Sequence, residues 1–127
     1  VVDVSYLKTK ANQIRRDLVT MIYEGKAGHI GGALSSTDIM TVLYYSIMKV
    51  NPQNPRWEDR DRFILSKGHS VEPLYCILAD KGFFPKDNLK TYSKFGSTLI
   101  VHPNNKNAGV EMNTGALGHG LPVGVGM

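Results

Sequence analysis

Cysteine occurs once in this chain, as Cys76, so no intrachain disulfide can form and a disulfide-stapled secreted scaffold is excluded. A lone cysteine fits a reducing cytoplasm, the expected location, and Cys76 reads as a small core residue on a helix. Long apolar runs are missing too. Nothing approaches the roughly 20 residues of a bilayer span, and the first residues, Val1-Val2-Asp3-Val4-Ser5, lack the basic-then-apolar order of a signal peptide, so no membrane association is expected. Charge of one sign is weak. Fifteen Lys and Arg against eleven Asp and Glu leave a net +4, and the basic residues are scattered without the aromatic interleaving of a stacking platform, so no nucleic-acid partner is expected. Repeats and low-complexity segments are absent. At 127 residues, 42% apolar and 20% charged, one globular domain is the most the chain allows.

Glycine is what the chain has plenty of. Six of its 13 glycines fall in the last nineteen residues, and four of the other seven, Gly28, Gly31, Gly32 and Gly68, lie within three residues of a histidine, which marks loops built around something. Between them the apolar spacing outlines helices. Val4, Leu7, Ala11, Ile14, Leu18 and Met21 recur every three or four residues, predicting an amphipathic helix over about 3–24 that stops at Gly25. Gly28-His29-Ile30-Gly31-Gly32 reads as a loop. Ser35 or Ser36 then offers a hydroxyl cap, with Asp38 in the first turn, for a second helix over about 36–49 that Asn51-Pro52 ends. Phe63-Ile64-Leu65 reads as a short buried strand running into Lys67-Gly68-His69, followed by a helix from Val71 to Lys81 closed by Gly82. A further helix is expected over about 86–94 with Leu89 and Tyr92 facing inward, then irregular chain to Asn113, then the first turns of a helix from Leu121 to Met127. One strand does not make a parallel sheet, so the 127 residues are expected to be the leading, helix-rich part of a larger α/β domain.

All four histidines adjoin glycine or proline: Gly28-His29, Gly68-His69, His102-Pro103 and Gly118-His119-Gly120. Imidazole donates, accepts or carries a proton near neutral pH, so several on glycine-rich loops point to a pocket for a small polar ligand. A zinc site is the sharp alternative. Separations of 40, 33 and 17 residues contain no ligand pair at helical spacing and no cysteine partner, and nothing singles out Glu111 as a carboxylate ligand, so no metal ligands are assigned. A serine hydrolase would need a Gly-x-Ser-x-Gly elbow, which is absent.

Four stretches resemble, in order and spacing, the amino-terminal part of the transketolase family of thiamine diphosphate enzymes. They are Gly28-His29-Ile30-Gly31-Gly32 with Leu34-Ser35-Ser36, Asp59-Arg60-Asp61-Arg62-Phe63-Ile64-Leu65-Ser66-Lys67-Gly68-His69, His102-Pro103, and Gly109-Val110-Glu111 with Thr114-Gly115-Ala116-Leu117-Gly118-His119-Gly120-Leu121. The likeness extends to the short amino-terminal subunits of bacterial split transketolases. It implies a doubly wound parallel-sheet domain that binds thiamine diphosphate, of which residues 1–127 are an incomplete amino-terminal part. It also implies transfer of a two-carbon ketol unit from a ketose to an aldose, with phosphorylated sugars as substrates, in an enzyme that is a homo-oligomer when complete.

By the same resemblance His69 reaches the cofactor diphosphate and the reacting end of the sugar, and His29 and His102 meet substrate hydroxyl and carbonyl groups. Gly115, Ala116, Leu117 and Gly118 form the cofactor-binding turn, Gly115 by backbone approach and Leu117 by apolar contact. Three positions depart from the family pattern: Ile30 stands where proline is familiar, Val101 where glycine is common, and His119 where glutamine is frequent. The family's Gly-Asp-Gly magnesium motif is absent, so the ligands of Mg2+ are expected outside this chain, in a carboxy-terminal subunit or the remaining domains. Alone, the chain is expected to be inactive; a noncatalytic binding or assembly module is the alternative from another class.

Overall fold

The computed structural model describes residues 3–127. Helix α1 (Val4–Gly25) begins where Asp3 accepts the Tyr6 amide at 3.0 Å, the side-chain cap that an exposed helix start needs. Its buried residues are Leu7, Ala11, Ile14, Leu18 and Met21, as the spacing predicts. The left-handed turn that ends it falls on Lys26, one residue past Gly25.

Helix α2 (Ile30–Val42) starts six residues earlier than expected and runs on through a single π turn at Leu43–Ile47. Gly31 and Gly32 lie inside its first turn rather than in a loop. The reason is packing: a Cβ on Gly32 would sit 2.2 Å from Ser70 Oγ, so only a glycine lets this turn lie against the segment that precedes the next helix. Ser35 and Ser36 therefore cap nothing; their hydroxyls bond back to the Gly32 carbonyl at 2.9 and 2.8 Å. Asp38, a residue of the helix interior, pairs with Arg15 of α1.

Residues 63–65 form no strand. Their backbone has no neighbouring strand to pair with among the described residues, which contain helices and turns but no sheet ladder. Leu65 is nonetheless buried, and its carbonyl takes a hydrogen bond from Thr114 Oγ1 at 2.6 Å. A 3₁₀ turn at Gly68–Ser70 leads into α3 (Glu72–Lys81), which Gly82 ends at φ 88° as expected. The predicted helix at 86–94 is a shorter 3₁₀ segment, Lys86–Thr91, with Leu89 and Tyr92 buried. The last element is α4 (Gly120–Gly126).

α3 is the centre of the molecule. Every residue from Glu72 to Ala79 is buried, with α1 and α2 packed on it and Tyr44, Leu65, Leu99 and Val110 completing the core. At about 1.5–3 kcal/mol for each large apolar side chain removed from water, this helix holds much of the fold's hydrophobic stabilisation. Its far end is tied to α1 by Asp80, which accepts hydrogen bonds from Lys10 and Gln13 at 2.8 Å each and from the Tyr45 hydroxyl.

Candidate active site

Three histidines meet at the amino-terminal end of α3. His69 is half-buried in the 3₁₀ turn that opens the helix. His29 immediately precedes α2, its ring exposed and making no cap to that helix. The two rings lie 5.3 Å apart, centroid to centroid, and His102 joins them from the irregular segment with its ring 6.1 Å from that of His29. Both pairs are edge-on. Sequence positions 40 and 33 residues apart are thus brought within one small ligand's reach.

The side chains that hold this arrangement come from one turn of α3. The Glu72 carboxylate accepts the His29 backbone N–H at 3.0 Å, and the Tyr75 hydroxyl donates to the His102 carbonyl at 2.7 Å. Burial pushes the Tyr75 phenol above its ordinary range, which keeps it a donor. His29 and His102 are therefore fixed through their backbones, which leaves the His29 imidazole exposed and the His102 imidazole half-buried. Neither Glu72 nor Tyr75 stands out in the sequence; the only signal is a lone charge in an otherwise apolar helix start.

The glycine-rich turn lies beside His102: a Cβ on Gly115 would be 3.2 Å from His102 Cδ2. Thr114 anchors the start of this turn, bonded to Leu65 and packed so closely on Gly68 that a Cβ there would be 2.7 Å from the Thr114 carbonyl carbon. From there Gly115, Ala116, Leu117 and Gly118 stand exposed, Leu117 at 72%, with Gly118 at φ 83° and the Ala116 carbonyl accepting the His119 amide at 3.1 Å. His119 lies at the start of α4, exposed, with no side-chain cap to that helix. Lys67 Nζ reaches Gly32 O and Ser35 Oγ, both at 3.3 Å, tying the turn before His69 to the first turns of α2. Glu111, weighed as a carboxylate ligand for a zinc site, is held by Arg60 in a two-pronged ion pair at 2.8 and 2.7 Å.

The chain matches known proteins over nearly its whole length. The family described as "Transketolase, thiamine diphosphate binding domain" covers residues 7–127. An apulose-4-phosphate transketolase subunit from Phocaeicola vulgatus is 50% identical over 98% of this chain and 44% of its own. Transketolase 1 of Escherichia coli is 40% identical over 98% of this chain and 19% of its own. The crystal structure of transketolase from Campylobacter jejuni superposes with a TM-score of 0.90 at 35% identity, covering 98% of this chain and 20% of that one. The helix-rich fold is thus a part of the transketolase fold, and the chain spans less than half the length of these relatives. With its histidine loops and its glycine-rich turn lying within that match, the chain belongs to the transketolase family, in the part that forms the thiamine diphosphate binding domain.

Proposed function

We propose that the chain is part of a thiamine diphosphate-dependent transketolase that moves a two-carbon ketol unit between phosphorylated sugars. The observation that carries this reading is the meeting of His29, His69 and His102 beside the Gly115–Gly118 turn. The donor set suits the cofactor. The exposed His29 and the half-buried His69 and His102 offer imidazole N–H donors to a diphosphate and to sugar oxygens, an exposed Leu117 offers an apolar face to a ring, and Gly115 leaves its backbone open to close approach. When bound, the cofactor supplies the nucleophilic carbon and the electron sink for carbon–carbon bond exchange.

The chain's own residues then divide the work. His69, on the turn that opens α3, holds the diphosphate and the near end of the sugar; His29 and His102 orient substrate hydroxyl and carbonyl groups and pass protons at those oxygens. Ala116 and Gly118 complete the turn that positions Gly115 and Leu117. The Mg2+ ligands come from the rest of the enzyme, since no Gly-Asp-Gly motif occurs here. That remainder, a carboxy-terminal subunit or further domains, also covers the exposed apolar side chains Leu117, Leu121 and Val125, and the complete enzyme is a homo-oligomer. The Phocaeicola relative is itself one subunit of its transketolase, which supports a divided enzyme, and the phosphorylated sugar in its name supports the substrate class. The reduced, buried Cys76 suits the cytoplasm.

The test is alanine substitution in the completed enzyme with kinetics at saturating and limiting cofactor. His29→Ala and His102→Ala should lower turnover by about 10²-fold with cofactor affinity kept, as expected when a transition-state donor is lost, and His69→Ala should lower both. Parent-like turnover in all three variants would overturn the assignment.

A further inference from the structure

We propose that Glu72 is a positioning residue for His29, setting the direction of its imidazole through the backbone; this rests on the role given to His29 in the proposed function. Glu72 is fully buried, the first residue of α3, between Val71 and Pro73. A carboxylate at that depth is expensive unless it is well satisfied, and an apolar residue would pack there without that penalty. The start of α3 offsets part of the cost, because the aligned peptide dipoles favour negative charge at a helix amino terminus. No ion pair among the described residues includes Glu72. Its partners are instead two neutral donors on one oxygen: the His29 amide at 3.0 Å and the Tyr92 hydroxyl at 2.9 Å, both on Oε1, while Oε2 has no partner among the described residues.

The chain around His29 is shaped to this oxygen. Gly28 adopts φ +140°, a conformation that strains other residues, and a Cβ there would fall 2.7 Å from Glu72 Oε1. The turn therefore presses its amide onto the carboxylate with no room to spare. Because the His29 ring itself caps nothing, the backbone at 28–29 is what aims it. The same helix start carries His69 on the preceding turn, so Glu72 sets the spacing of the two imidazoles as a unit. Tyr92 holds the carboxylate from the other side; burial, then the Glu72 charge, pushes its phenol up and keeps it a donor.

The experiment uses the completed enzyme at saturating thiamine diphosphate and Mg2+, comparing Glu72→Leu, Glu72→Gln, Glu72→Asp, His29→Ala and the double variant Glu72→Leu/His29→Ala. Turnover is measured together with hydrogen–deuterium exchange of the segment spanning 26–33. Glu72→Leu should lose about 10- to 100-fold in turnover, the scale on which misplacing a reacting group by up to about 1 Å acts, and the 26–33 segment should exchange faster. Glu72→Gln, which keeps an acceptor oxygen, should restore most of both. Adding Glu72→Leu to His29→Ala should cost little further turnover, because the group being aimed is already gone. If the two losses multiply, or if Glu72→Leu exchanges and turns over like the parent, the positioning role is overturned while the role of His29 stands. If His29→Ala alone is parent-like, the functional reading beneath it fails instead. Should the leucine variant not fold, Glu72→Asp decides: the shorter side chain withdraws the acceptor, so parent-like turnover and exchange would overturn the proposal, and about a tenfold loss with faster exchange would support it.

Discussion

Helices α3 and α4 start alike and end in opposite surroundings. Each is short and apolar, and each follows a glycine–histidine turn, Gly68-His69 before one and Gly118-His119 before the other. Yet α3 is buried from Glu72 to Ala79, whereas in α4 only Gly120 is, and Leu121 and Val125 are 72% and 82% exposed. α4 touches the rest of the chain along one glycine edge: a Cβ on Gly120 would lie 2.8 Å from Ser66 Cβ, and one on Gly124 would lie 3.7 Å from Ile64 Cδ1. A shared local signal sets where a helix begins. What it packs against decides what the helix is worth.

Substitutions in the two helices should therefore differ sharply when thermal or denaturant unfolding of the chain is measured. Ile77→Ala in α3 removes a fully buried side chain and should cost about 2–5 kcal/mol, the range for emptying a packed site. Gly68→Ala comes next. The added methyl would stand 2.6 Å from Thr114 Oγ1 and 2.7 Å from its backbone, so the turn before α3 must shift, at about 1–3 kcal/mol.

The far end of α3 sharpens the contrast through pH. Burial alone would raise the Asp80 carboxyl, but hydrogen bonds from Lys10, Tyr45 and Gln13 outweigh it and hold the group below its ordinary value. A carboxylate depressed in the folded state stabilises above its unfolded pKa, about 3.9, and that stability is lost as pH falls through the lower folded value. The parent should thus lose stability on acidification below about pH 5, and Asp80→Asn should lose less over the same range. With solvent reaching the cluster, the difference should stay near or under about 1 kcal/mol. Smallest of all, Val125→Ala in α4 should shift stability by no more than about 0.5 kcal/mol, because the side chain already faces water. A loss there as large as that of Ile77→Ala would erase the distinction between the helices.

α1 is readable from its apolar spacing because one face meets a core and the other meets water. α2 is not: its buried Ala33, Met40 and Tyr44 alternate with exposed Ile30, Ile39 and Val42, so no single stripe marks its start. Its first turn also carries two glycines, which local rules treat as breakers, and the contact with Ser70 that demands Gly32 is 38 residues away. The strand expected at 63–65 failed for a related reason, since a strand exists only with a partner backbone. Among the site residues, the histidines were legible because a glycine or a proline adjoins each one, and the structure brings three of them together. Glu72 and Tyr75 were not, because the backbone groups they hold, at 29 and 102, are far off in sequence.

The placement of Cys76 gives the molecule its own clock. The thiol sits with no exposed surface in the middle of α3, and burial pushes its pKa well up, so it reacts with a disulfide reagent only when that helix opens to water. Being the sole cysteine, it yields one labelling signal from one known point. Where reclosing outpaces the reagent, the modification rate measures the free energy of opening at the centre of the fold, with no probe introduced and none of the core disturbed.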